Sequence, residues 1–246
     1  MNIHLIEGDA GCRFAVEHQG IAVIVDALRA SATAAALLDG GAERLCVVGE
    51  VKEAFALKEL WPDALLFGER GGLPPAGFDY GNSPQDAQAA KGKRVIFTTT
   101  TGAGRLVAAK DASQAIMASV VNTAALVRYL KDRGEKDLVI IPAGLMGDPH
   151  FDGLEDWTGA AWIAAQVYES GDHQWGEGYD AYKRIKTRID REGVAALFSR
   201  SPHADKLRAV NLEADIERCA RIDCYHSVPL ATEQISTGLL LQDALA

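Results

Sequence analysis

Short apolar, β-branched runs alternate along this chain with longer segments whose apolar residues recur at helical spacing. The pattern predicts strands over Ile21 to Asp26, Arg44 to Val48, Leu65 to Gly68, Arg94 to Thr98, Ala115 to Ala118 and Asp137 to Ile141. It predicts helices over Ser31 to Leu38, Val51 to Leu60, Pro84 to Ala90, Gly102 to Ala109 and Thr123 to Asp132. Val23-Ile24-Val25 and Leu138-Val139-Ile140-Ile141 are continuously apolar, as in strands covered on both faces, which requires a helical layer above and below. The predicted fold is α/β, a three-layer α/β/α sandwich around a mostly parallel or mixed sheet.

Beyond Gly153 the texture changes. Leu154 to Glu169 reads as one long helix, Tyr179 to Ala209 as charged and helical, and Leu212 to Ala220 as a last helix before strand-like Ser227-Val228-Pro229. The basic residues Lys183, Arg184, Lys186, Arg188 and Arg191 are interleaved with Asp180, Asp190 and Glu192, the signature of a solvated helix face rather than a binding patch. The tail after Ser236 carries no chemical signal. With no repeat, low-complexity linker or composition break, one domain over residues 1–246 is the simplest organisation.

Composition narrows the partners. The 246 residues carry 25 Lys+Arg against 34 Asp+Glu, a formal net charge of −9, which disfavours nucleic acid and anionic membrane surfaces. No run approaches the roughly 18 apolar residues of a membrane span, and the N-terminus lacks a basic segment followed by an apolar one, so a cytoplasmic setting is expected. The four cysteines, Cys12, Cys46, Cys219 and Cys224, are scattered and read as reduced thiols. A zinc site from Cys219, Cys224 and His226 is disfavoured by the wide spacing and the missing partner pair.

In an open α/β sheet, ligands bind beyond the carboxyl ends of the strands. There the chain places an acid with an arginine twice: Asp26-Ala27-Leu28-Arg29-Ala30-Ser31, and Gly68-Glu69-Arg70-Gly71-Gly72. Arginine's planar fork suits phosphate, sulfonate or carboxylate, while acids at the same mouth repel such an anion unless a divalent cation lies between them. The combination points to Mg²⁺ plus an oxyanion. The segment from Gly68 to Ser83 holds five glycines and two prolines, long enough to be functional, and its Asp79 and Asn82 are oxygen donors of the kind Mg²⁺ prefers. Ser83 reads as a helix N-cap before Pro84.

Thr98-Thr99-Thr100-Thr101-Gly102 offers hydroxyls and first-turn amides to an anion, with Thr100, Thr101 and Gly102 the better placed. Gly102-Ala103-Gly104 also permits a nucleotide-cofactor oxidoreductase, but the third glycine and the ribose-binding acid are missing. Glu155-Asp156 opens the long helix, where acids either complement the helix end or complete a metal site. Hydrolase signatures such as G-x-S-x-G, H-E-x-x-H and the P-loop are absent.

Together, Asp26-Ala27-Leu28-Arg29-Ala30-Ser31-Ala32-Thr33, Gly68-Glu69-Arg70-Gly71-Gly72, Gly77-Phe78-Asp79-Tyr80-Gly81-Asn82-Ser83-Pro84 and the threonine run resemble the 2-phosphosulfolactate phosphatase family, in the family's order. The likeness continues through Ala143-Gly144, Leu154-Glu155-Asp156, Asp215-Ile216-Glu217-Arg218-Cys219 and Val228-Pro229. It implies a Mg²⁺-dependent phosphoric monoester hydrolase that converts 2-phospho-3-sulfolactate to sulfolactate, a step toward coenzyme M, or acts on a related 2-phospho-hydroxyacid. The family often has Thr-Thr-Asn-Gly-Thr where this chain has Thr99-Thr100-Thr101-Gly102-Ala103, and a cysteine at Pro142, which alters the lining of the anion site.

The expected metal ligands are drawn from Asp26, Glu69, Asp79, Glu155 and Asp156. Asp26, Arg29, Glu69 and Arg70 are the expected catalytic residues, and Ser31, Asn82, Ser83, Thr100, Thr101 and Gly102 the substrate-binding ones. The attacking group is either water or a carboxylate, with Asp26 the candidate. A non-catalytic anion-binding module on the same fold is the remaining alternative, and a homo-oligomer is ordinary for such an enzyme.

Overall fold

The computed structural model describes all residues except 132, 134–136 and 149. Its strands are β1 (Asn2–Leu5), β2 (Ile21–Val25), β3 (Arg44–Val47), β4 (Leu65–Gly68), β5 (Arg94–Thr98), β6 (Gln114–Met117), β7 (Asp137–Pro142), β8 (Gln174–Trp175), β9 (Pro229–Ile235) and β10 (Gly238–Asp243). Its α-helices are α1 (Gly8–Glu17), α2 (Ala30–Asp39), α3 (Val51–Leu60), α4 (Gly102–Ala108), α5 (Thr123–Leu130), α6 (Leu154–Glu169), α7 (Tyr179–Glu192), α8 (Val194–Ser199), α9 (Pro202–Ala209) and α10 (Glu213–Cys219).

The strands form one mixed sheet in the order β4-β5-β3-β10-β9-β6-β2-β7-β1-β8. Strands β4, β5 and β3 are mutually parallel, as are β6, β2, β7, β1 and β8. The antiparallel β9–β10 hairpin joins the two blocks and pairs antiparallel with both β3 and β6. Period-two alternation sends neighbouring side chains to opposite layers. Val23, Val25, Leu138 and Ile140 pack with α5, α6 and α8 residues, whereas Ala22, Ile24, Val139 and Ile141 pack with residues of α1, α2 and α4. Both faces are therefore apolar and covered, as the continuous hydrophobic runs require.

Three antiparallel steps separate β3 from β6, so the two parallel blocks run in opposite ladder directions. Natural twist of about 20–25° per step accumulates to more than about 100° between β2 and β5. The segments beyond these strands meet: Gly102, four residues beyond β5, donates its amide to the carboxylate of Asp26, the residue after β2, at 2.9 Å.

Several predicted elements shift. Residues 84–90 form a 3-10 helix rather than an α-helix, capped as expected by Ser83, whose hydroxyl accepts from the Gln85 amide. The segment read as continuously helical over Tyr179 to Ala209 divides into α7, α8 and α9, because Gly193 has φ 83° and Ser201 caps a new helix with Pro202 in its first turn. The solvated reading of the basic cluster agrees with the Lys183–Asp180 and Lys186–Asp190 ion pairs along α7. The helix predicted over Thr123 to Asp132 ends at Leu130, and Asp132 lies outside the described residues. Far from being inert, the tail after Ser236 supplies β10 in the middle of the sheet. Among the described residues, no helix is long and apolar enough to cross a membrane.

Candidate active site

A cavity of about 170 Å³ opens where the ends of β2, β4, β5 and β7 meet α9. Its floor is built from carboxylates that organise backbone. Asp26 accepts the amide of Ala30 through Oδ1 (3.1 Å) and that of Gly102 through Oδ2 (2.9 Å), tying the start of α2 to the start of α4. Asp156 accepts the amides of Ala27 (2.8 Å) and Gly144 (3.0 Å), tying the loops after β2 and β7 to α6. Glu69 accepts those of Thr100 (2.7 Å) and Gly72 (2.9 Å). A carboxylate oxygen has two lone pairs, so each can hold an amide and still face a ligand. Glycine is required at 102, because an added Cβ would lie 2.6 Å from Asp26 Oδ2 and 2.7 Å from the Ala30 Cβ.

Asp26, Arg29, Glu69, Asn82, Thr100, Thr101 and Asp156 all line this cavity, so seven of the expected residues converge. Arg29 is 2% exposed; its guanidinium donates to Asp215 Oδ2 (2.5 Å) and to the Gly72 carbonyl (2.9 Å). Asn82 Oδ1 and Thr100 Oγ1 are buried without a hydrogen-bond partner, an arrangement that favours a ligand able to satisfy them.

Other expected residues stand elsewhere. Arg70 does not line the cavity: it donates to the Glu69 carbonyl (2.7 Å), the Gly49 carbonyl (3.0 Å) and Thr98 Oγ1 (3.1 Å), bracing the ends of β3, β4 and β5. Asp79 is exposed and accepts the Leu66 amide at 2.8 Å, so it caps β4 instead of joining the other acids. Ser31 is fully buried; its hydroxyl accepts from the Asp26 amide and donates to the Ile24 carbonyl, leaving it a structural brace. The Ser83 hydroxyl donates to Asp215 Oδ1 at 2.7 Å. Gly102 has already given its amide to Asp26, which fills the helix start proposed for a substrate anion or a dinucleotide. Glu155 lies behind the cavity, with Oε1 3.2 Å from His203 Nδ1 and Oε2 buried without a partner.

The model of the 2-phosphosulpholactate phosphatase family matches residues 12–234. The chain belongs to this family. It is 36% identical over 208 residues to the probable 2-phosphosulfolactate phosphatase of Carboxydothermus hydrogenoformans, with 84% of each chain covered. The probable 2-phosphosulfolactate phosphatase of Deinococcus radiodurans is 34% identical over 214 residues, covering 85% of this chain and 86% of the relative. That of Thermus thermophilus is 33% identical over 227 residues, covering 91% and 93%.

In this phosphatase-family chain three polar residues of the site had no role in the sequence reading, where Asp215 stood only within a motif of the family likeness. His203 and Lys206 reach the cavity from α9, and buried Asp215 anchors Arg29 from α10. Ser201-Pro202, a cap followed by a first-turn proline, is the signal that would have isolated α9 and drawn attention to the residues after it.

Burial pushes the Asp26 carboxyl up, with the charges of Glu69 and Glu155 adding to it against the opposing pull of His203 and the Ala30 amide. Burial, then Glu155 and Asp26, pushes Asp156 well above the carboxylate range. For His203, burial works against the imidazolium, but the Glu155 hydrogen bond and the charges of Glu155, Asp26 and Glu69 outweigh it and raise its pKa. The floor is thus an acid-rich, desolvated set of hard oxygens, a donor chemistry that suits Mg²⁺. Among the described residues no three His, Cys, Asp or Glu side chains form a complete metal-holding group. Mg²⁺ commonly takes only one or two carboxylates and keeps several waters, and the unpartnered Asn82 Oδ1 adds a neutral oxygen to the set, so the donors fit the ion.

Proposed function

We propose that this chain is a Mg²⁺-dependent phosphoric monoester hydrolase that removes phosphate from 2-phospho-3-sulfolactate or a closely related 2-phospho-hydroxyacid. The observation that carries the reading is the convergence of Asp26, Glu69 and Asp156 with Arg29, Asn82, Thr100 and Thr101 around one cavity. Family membership and the names of the relatives point to the same reaction.

One or two of the carboxylates of Asp26, Glu69 and Asp156, with Asn82 Oδ1, would hold Mg²⁺, which would supply Lewis-acid neutralisation of charge on the transferring phosphoryl group. Thr100 Oγ1 would donate to a phosphoryl oxygen, and Arg29 would present a guanidinium orientation fixed by Asp215 and Gly72. Phosphorus gains an oxygen from water, or first from Asp26, as its bond to the ester oxygen breaks. His203, held as the imidazolium by Glu155 at Nδ1, would deliver its other proton, from Nε2, to the departing oxygen and regain one from the water that is consumed. A phosphoaspartate trapped by acid separates the two attacking groups.

Phosphate release from a panel of phosphorylated 2-hydroxyacids, with and without Mg²⁺, tests the assignment. Release from 2-phosphosulfolactate that needs the metal is expected. Absence of metal-dependent release from every member would overturn it.

A further inference from the structure

The other cations in and around the cavity are already engaged by the protein itself. Arg29 is paired with Asp215, and Arg70 donates to two carbonyls and a threonine hydroxyl. Arg105, buried in α4, is paired with Asp9 and donates to the Ala143 carbonyl. His203 is held by Glu155.

Lys206 differs from all of these. It stands three residues beyond His203 on α9, so the two share a helix face, and both line the cavity. Among the described residues no carboxylate lies within ion-pair distance of it, and the adjacent Asp205 is turned to Arg208. Its Nζ sits 4.4 Å from the centre of the Phe151 ring, which orients the ammonium without neutralising it.

The position has a chemical consequence. A substrate whose phosphate sits over the acidic floor must turn its other anionic groups away from Asp26, Glu69 and Asp156 or be repelled by them. The rim that carries Lys206 is where an uncompensated positive charge awaits them. We propose that Lys206 is the specificity residue of the cavity and receives a non-phosphate anion of the substrate, sulfonate or carboxylate. The proposal rests on the phosphatase reading above and adds which end of the substrate α9 recognises.

Hydrolysis of three esters by the full-length protein tests it: 2-phosphosulfolactate, 2-phospholactate, which lacks the sulfonate, and glycerol 2-phosphate, whose tail is uncharged. Lys206→Met should raise KM for 2-phosphosulfolactate about tenfold or more with kcat within about twofold, while glycerol 2-phosphate hydrolysis changes less than about twofold. Lys206→Arg should recover most of the loss, since it restores the charge. An equal rise on 2-phospholactate assigns the carboxylate, and a rise confined to 2-phosphosulfolactate assigns the sulfonate. Unchanged KM for both acids, or the same loss on all three esters, overturns the proposal. Calorimetric binding of sulfolactate needs no turnover and separates the two hypotheses. Equal binding by wild type and Lys206→Met would remove Lys206 from recognition, whereas wild-type binding that needs Lys206 but comes without ester hydrolysis would overturn the phosphatase reading alone.

Discussion

Two strand ends at the cavity each carry an acid and an arginine, and they use the pair in opposite ways. At the end of β2, Asp26 and Arg29 both face the cavity, and the arginine is countered from outside by Asp215 of α10. At the end of β4, only Glu69 faces inward, while Arg70 turns back to hold Gly49, Thr98 and its own neighbour's carbonyl. The spacing explains the difference. Asp26 and Arg29 stand at the two ends of the turn that leads from β2 into α2 and both reach one volume, whereas Glu69 and Arg70 are consecutive just beyond β4, where successive side chains point to opposite sides. An acid beside an arginine is thus one motif with two outcomes, a binding pair and a brace.

The sharpest test of that contrast is Asp26→Asn, which should lower phosphate release about 10²–10⁴-fold, the range for a residue acting in proton transfer or at the metal. Near wild-type turnover would remove the β2 end from the chemistry. Asp215→Ala comes next, since it strands a buried guanidinium. About 3–5 kcal/mol of stability should be lost, read by urea unfolding. A loss under about 1 kcal/mol would mean that Arg29 is not dependent on its partner.

Parallel Arg→Lys exchanges then compare the two arginines directly. Arg29→Lys should reduce kcat/KM about tenfold, because a fork held at two points is replaced by a single ammonium. Arg70→Lys should leave turnover within about twofold and lower stability by about 1 kcal/mol as its three hydrogen bonds are remade by one amine. Equal losses of turnover in both variants would erase the distinction.

The smallest expected effect is in pH dependence. Asp26 and Asp156 hold protons more tightly in the folded protein than in the unfolded chain, where carboxyls have ordinary values. In chelator-treated protein their contribution to stability is full below the ordinary carboxylate range and is lost as pH rises through the raised values. The melting temperature of wild type relative to Asp156→Asn should therefore climb as pH falls from 8 toward 5, and Mg²⁺ should flatten the climb. A difference independent of pH would place the charge burden elsewhere.

Period-two and helical patterning made the strand ends legible, and Leu65–Gly68 and Arg94–Thr98 match their predicted bounds. Reading outward from those ends located Asp26, Glu69 and the threonines, because a sheet fixes where its carboxyl ends lie. Direction of side chains was not legible. Nothing in Asp79 or Ser31 tells a free oxygen from one already bonded to backbone, and only the fold reveals that Leu66 and Ile24 claim them. His203, Lys206 and Asp215 lie on short helices far along the chain, and they join the site through packing on α6 and around Arg29, which periodicity does not encode. The hairpin was lost for a different reason: Leu239, Leu240 and Leu241 make β10 continuously apolar, but it lacks the β-branched residues that marked buried strands such as β2 and β7.

That hairpin also governs how the molecule must assemble. β9 and β10 follow every other strand in the chain, yet they sit between β3 and β6. Until they arrive, each parallel block presents an open edge of unpaired amides and carbonyls, and the two halves of the cavity have no common frame to hold them in register. Closing the sheet requires pairings between distant parts of the sequence, the slow class of folding event. The cavity can therefore be framed only once the last strands of the chain have paired with β3 and β6.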